Sequence, residues 1–163
     1  MFYGESTHSL DDKGRAFVPK RFQEVLRREG EEAVRVVLTR GFEGCVFLFT
    51  EDGFEEVMGR LLTQAFGGEK LRKMQRLFFA NTHRCQLEKS GRLLIPEKLK
   101  KFAKLDSDVV MVGVADRAEI WDRKAWEAFE SENEEDFDQL DVVLIGDGAA
   151  PNTGGDGGAS PVG

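Results

Sequence analysis

The sequence is short of the side chains on which most enzyme and secreted-protein chemistry depends. Its 163 residues include two cysteines, Cys45 and Cys85, too few for a disulfide framework and in keeping with a reducing cytoplasmic setting. There are two histidines, His8 and His83, and no C-x-x-C, H-E-x-x-H or G-x-S-x-G pattern, so neither a catalytic residue nor a cofactor is expected. His83, Cys85 and His8 offer at most a thin zinc set, and a strand-edge histidine beside a buried cysteine is the plainer reading. The longest apolar run, Val109 to Ala115, has seven residues, against the roughly 20 that span a bilayer. The opening Met1-Phe2-Tyr3-Gly4-Glu5 lacks the basic region and apolar core of a secretory signal. Gly67-Gly68-Glu69-Lys70 lacks the Gly-Lys-Ser/Thr ending of a phosphate cradle and reads as a hinge. The acidic run from Glu130 to Asp138 lacks the alternating pattern and central glycine of a calcium loop.

Basic residues are outnumbered, 23 against 30, yet the deficit is not evenly spread. Residues 1–114 hold 20 basic and 17 acidic side chains, whereas residues 115–163 hold 3 and 13. Within the first part, Asp11 to Arg28 carries six basic and three acidic residues, and Arg84 to Lys104 carries seven and two. Two local cationic segments of this kind suit a polyanionic partner, although a solvated face has the same composition.

Both cationic segments contain the same motif. Leu10-Asp11-Asp12-Lys13-Gly14-Arg15-Ala16-Phe17-Val18-Pro19 is answered 77 residues later by Leu87-Glu88-Lys89-Ser90-Gly91-Arg92-Leu93-Leu94-Ile95-Pro96. Only four prolines occur in the chain, and two of them close these motifs. A second correspondence pairs Phe49 to Glu55 with Trp121 to Glu127. The chain therefore reads as two copies of one unit.

The unit predicts strand, tight turn, strand, short helix, strand pair, helix. Gly14 and Gly91 supply the positive φ of the turns, and Pro19 and Pro96 end a ladder and open a helix. Helices are expected over Lys20 to Arg28, Glu55 to Leu62, Glu69 to Ala80 and Glu97 to Lys104, with Leu71, Met74, Leu77 and Phe78 as one apolar face of the third. Residues 1–68 form the first half, 69–82 a connecting helix and 83–145 the second half. Residues 146–163, with seven glycines and two prolines, form a disordered tail.

The opening Met1-Phe2-Tyr3-Gly4, the motif Asp11-Asp12-Lys13-Gly14-Arg15, its partner Glu88-Lys89-Ser90-Gly91-Arg92, and Glu119-Ile120-Trp121 together resemble the bacterial MraZ family over roughly residues 1–145. The resemblance implies an α+β fold, a tandem pseudo-twofold AbrB-like swapped-hairpin β-barrel with peripheral helices. It also implies a ring-forming homo-oligomer that acts as a transcriptional regulator at the nucleoid, binding duplex DNA at short tandem repeats upstream of its own division and cell-wall operon. The first motif matches the family pattern at Asp11, Lys13, Gly14 and Arg15. The second departs from it at Glu88, whose extra methylene moves the carboxylate away from the turn amides.

A hairpin tip with Lys13 and Arg15 is small enough for a major groove, where Arg15 could pair with guanine and Lys13 with phosphate. Lys20, Arg21, Arg27 and Arg28 are further candidates for backbone contact. Asp11 and Gly14 are assigned to the turn, and Glu88, Gly91 and Arg92 to packing or subunit contact. Arg15 could equally pair with Asp11 or with the acidic residue of the other hairpin and so lock the halves together. The same basic hairpins would also serve an RNA-associated or structural oligomer, which A-form RNA competition would distinguish.

Overall fold

Turn chemistry near residues 11–14 and 88–91 sets the layout of the chain in a computed structural model that describes residues 1–63 and 66–146. The chain divides into two units, residues 1–127 and 128–163. Apart from Gly146, the glycine-rich tail lies outside the described residues.

In the first unit, β1 (Glu5–Ser9) reaches the Asp11 turn and continues as β2 (Arg15–Phe17). Pro19 has no N–H to extend the ladder, and α1 (Lys20–Leu26) starts after it, burying Phe22 and Leu26. β3 (Arg35–Arg40) and β4 (Val46–Phe49) form an antiparallel pair. The Thr50 hydroxyl then accepts from the Gly53 N–H at 2.9 Å. With Glu51 and Asp52 in the first turn, this cap starts α2 (Glu51–Leu62) four residues before the expected Glu55. After α3 (Glu69–Ala80) the plan repeats as β5 (His83–Gln86), β6 (Arg92–Leu94), α4 (Glu97–Phe102), β7 (Asp108–Gly113), β8 (Ala118–Asp122) and α5 (Arg123–Asn133).

The repeat is not two side-by-side copies. The large antiparallel sheet has the order β1-β7-β8-β4-β3-β5, and a second sheet pairs β2 with β6. β1 thus adds to the β7–β8 pair of the other copy, β5 adds to β3–β4, and exchanging the copies reproduces the order. The result is an α+β fold built on antiparallel strands. Among the described residues the ladders form these two sheets and no closed ring.

Strand alternation places Val36, Leu38, Leu48, Met111 and Ile120 in one cluster with Ala16 and Leu93 of the small sheet and with Phe22, Leu26 and Leu99 of α1 and α4. β3 and β4 are buried on both faces, unlike a half-solvated antiparallel strand. Their second face meets an aromatic row in which Phe47–Phe49, Phe49–Phe54 and Phe54–Phe78 have centroid separations of 5.9, 6.1 and 6.0 Å. Buried Glu119 is satisfied by Arg117 at 2.9 Å and by the Trp121 indole at 2.9 Å.

In the second unit, the Asn133 amide donates to the Phe129 carbonyl at 2.8 Å where α5 ends. A 3-10 segment (Glu134–Gln139) and α6 (Leu140–Ile145) follow.

Candidate nucleic-acid interface

The pairing of β2 with β6, in the register Arg15↔Leu94, Ala16↔Leu93 and Phe17↔Arg92, brings the two turns next to each other. The Val18 N–H donates to the Gly91 carbonyl at 2.9 Å and the Ile95 N–H to the Gly14 carbonyl at 3.0 Å.

Each turn closes on its acidic residue. The Gly14 N–H donates to the Asp11 carbonyl at 3.0 Å, and the Gly91 N–H to the Glu88 carbonyl at 2.9 Å. Both glycines lie in the left-handed region, at φ +82° and +86°. The Asp11 carboxylate also accepts from the amides of Lys13 at 3.0 Å and Arg15 at 2.8 Å. The Arg15 amide above all, then its guanidinium and the Lys13 amide, hold the Asp11 carboxyl below its ordinary range.

Glu88, one methylene longer, points its carboxylate across to the first turn. There it accepts from Arg15 Nη1 at 3.3 and 3.4 Å, while Arg15 Nε donates to Asp11 Oδ2 at 2.8 Å. Arg15 therefore lies between carboxylates of both turns with a side chain 25% exposed. Asp11 and then Glu88 raise the affinity of its guanidinium for its proton.

The helices cross as well. A Cβ on Gly14 would lie 3.8 Å from Lys100 Cδ and 3.9 Å from Lys100 Nζ, so α4 of the second copy backs the first turn. Gln23 of α1 backs the second turn, donating to the Val18 carbonyl at 2.7 Å.

The six candidate DNA-contacting cations divide accordingly. Lys13, Lys20 and Arg27 are exposed and take part in no ion pair among the described residues. Arg15 bridges the turns. Arg21 donates to the carbonyls of Tyr3 at 3.1 Å and Glu5 at 2.9 Å, which ties α1 to the N-terminal segment. Arg28 is met by Asp52, by Glu51 at 3.3 Å and by Glu31 at 3.8 Å. Arg92 is exposed on β6, and Lys89 is exposed at the second turn.

Lys89 and Lys100 were not singled out from the sequence, although Arg84 to Lys104 is its most basic stretch. The signal was the local charge. The crossing that puts Lys100 beside Gly14 is a long-range property.

Other reactive groups have structural surroundings. Burial pushes the Cys45 and Cys85 thiols up, and the Cys45 thiol donates to the Phe42 carbonyl at 3.2 Å. His8 Nε2 lies 2.7 Å from the Ser6 hydroxyl; burial, and then the Arg21 charge, lower its pKa. Among the described residues no cluster of three or more His, Cys, Asp or Glu side chains is arranged to hold a metal ion. No described helix is long and apolar enough to cross a membrane. Lys13 and Lys89 at the two braced turns, Arg92 on β6 and Lys100 behind Gly14 are cations suited to a polyanion's phosphates.

Comparison with known proteins gives one family over most of the chain. The family described as "MraZ protein, putative antitoxin-like" matches residues 1–76 and 78–146. The chain is 38% identical over 145 residues to the transcriptional regulator MraZ of Moorella thermoacetica, a match covering 89% of this chain and 97% of that protein. Identity is also 38% over 145 residues to the proteins of the same name from Desulforamulus reducens and Lactiplantibacillus plantarum, covering 98% and 99% of their lengths.

Proposed function

This chain belongs to the MraZ family of transcriptional regulators, and we propose that it binds duplex DNA sequence-specifically, as a ring-shaped homo-oligomer on short tandem repeats upstream of its own division and cell-wall operon. The β2–β6 pairing supports this reading, because it puts two G-R turns side by side with Lys13 and Lys89 exposed on them. In this reading the two sheets are walls of an AbrB-like swapped-hairpin barrel, with residues 1–68 and 83–145 as its halves.

Lys13, Lys20 and Arg27 contact phosphates, joined by Lys89, Arg92 and Lys100. Arg15 is positioned by Asp11 and Glu88 and offers Nη2 to a guanine edge in the major groove. Arg21 and Arg28, already committed to carbonyls and carboxylates, hold the frame. One such tip supplies mostly electrostatic affinity, and several copies on spaced repeats raise avidity through effective concentration.

The test is fluorescence anisotropy across a salt series with duplex from upstream of the gene, a scrambled duplex and a structured RNA. Preference for the upstream duplex, lost in a folded Arg15→Ala protein, is the expected result. Equal affinity for both duplexes refutes sequence-specific recognition, and preferential competition by RNA favours the RNA-associated alternative.

A further inference from the structure

The connecting helix α3 does not bury all its apolar residues. Leu71, Gln75 and Phe78 turn inward: Gln75 Nε2 donates to the Leu61 carbonyl at 3.4 Å, and Phe78 stacks on Phe54. One step round the helix, Met74 and Leu77 are 51% and 56% exposed, and Phe66, in the non-helical segment before α3, is 95% exposed. The expected single face of Leu71, Met74, Leu77 and Phe78 is thus split into a packed pair and an open pair. Lys70 lies one turn before Met74, and Lys73, which pairs with Glu69 at 2.9 Å, one turn before Leu77; α3 holds four basic residues against one acidic.

The second unit has the opposite charge and the same need. Residues 128–146 contain seven acidic side chains and no basic one. Val142, Val143, Leu144 and Ile145 of α6 are each at least 66% exposed. An apolar run of this kind marks an interaction surface. The two surfaces are complementary in charge and both carry exposed apolar side chains, and the oligomer of the proposed function would supply each with its partner from another copy.

We propose that the acidic, apolar segment Glu134–Ile145 of one copy docks on the basic, apolar Phe66–Leu77 stripe of a second copy. Apolar side chains meet while carboxylates face Lys70 and Lys73, which are interspersed with them. The contact joins two different surfaces, so it closes either as a ring or as a reciprocal twofold pair. The inference rests on the oligomer of the proposed function but not on DNA recognition.

The test is sedimentation velocity of the full chain without DNA at physiological salt. Lys70→Glu with Lys73→Glu, or Asp138→Lys with Asp141→Lys, is expected to weaken self-association about tenfold or more, and combining both pairs to restore it. A second measurement uses the otherwise unaltered chain with a photoreactive residue at position 74, as an equal mixture of light and isotopically heavy protein. Cross-linked peptides from 134–145 should then include mixed light–heavy pairs. A monomeric native chain, assembly indifferent to both charge reversals, failure of the combined variant to recover, or exclusively same-isotope cross-links would each overturn the docking. Intact, reversal-sensitive assembly with no preference between duplexes would instead refute DNA recognition and leave the docking standing.

Discussion

Gly14 and Gly91 occupy matching places in the two motifs, yet replacing them by alanine should have unequal effects. Their φ values of +82° and +86° impose the same left-handed cost on alanine, about 1–2 kcal/mol. About 0.4–1 kcal/mol of that is offset in each case because alanine restricts the unfolded chain. Space then separates the two. At position 14 a Cβ finds ordinary contact with Lys100 Cδ at 3.8 Å, whereas at position 91 it would lie 2.5 Å from Gln23 Nε2 and 2.9 Å from Phe17 Cε2. Gln23 can swing aside only by giving up its 2.7 Å bond to the Val18 carbonyl, worth about 1 kcal/mol net. Displacing the Phe17 ring adds about 1 kcal/mol of overpacking. Gly14→Ala should therefore lose about 1 kcal/mol and Gly91→Ala about 2–3 kcal/mol, measured as midpoint shifts at constant m in urea unfolding of the full chain. Equal losses, or a greater loss at position 14, would refute the conclusion that α1 closes over the second turn.

Lys13→Ala and Lys100→Ala should each weaken duplex binding regardless of sequence and lower the slope of log K against log salt by about 1, while Arg28→Ala leaves that slope unchanged; an unchanged slope in Lys100→Ala would remove α4 from the interface. His8 has a folded pKa lowered from 6.5, so the unfolded chain takes up its proton first as pH falls. Stability should therefore be fully present above about pH 6.5 and decline as pH falls through the folded pKa, and His8→Gln should flatten that decline in unfolding measured from pH 7.5 to 5. Leu93 of β6 is fully buried, so Leu93→Ala should cost about 2–5 kcal/mol; a loss below about 1 kcal/mol would mean that the small sheet is not part of the core.

Much of the local geometry of the two turns is legible in the sequence. Asp-x-Lys-Gly is turn chemistry wherever it occurs, proline ends a ladder, and the spacing of Phe22 and Leu26 defines a helix face. The pairing of Arg15 with Asp11 and the other hairpin's acid was one of the two readings its position allowed. The glutamate at position 88 was visibly one methylene too long for the role of Asp11. Its use of that length to reach Arg15 depends on how β2 meets β6.

What the linear order could not convey is which copy each strand joins. Local chemistry determines that β1 ends in a turn and that β3 and β4 form a hairpin, because those preferences act over a few residues. The attachment of β1 to β7, the position of Lys100 behind Gly14 and the tie of Arg28 to Glu51 and Asp52 arise from pairings between residues tens of positions apart. Equivalent strands of the two copies have similar local preferences, so burial of both faces of β3 and β4 and completion of the sheet edges choose among the pairings. The repeated motif, the turns and the charge of each segment therefore follow from local residue order. Tertiary structure decided which cations stand clear of carboxylates and which face of α3 stays open, since both depend on what the other half of the chain brings alongside.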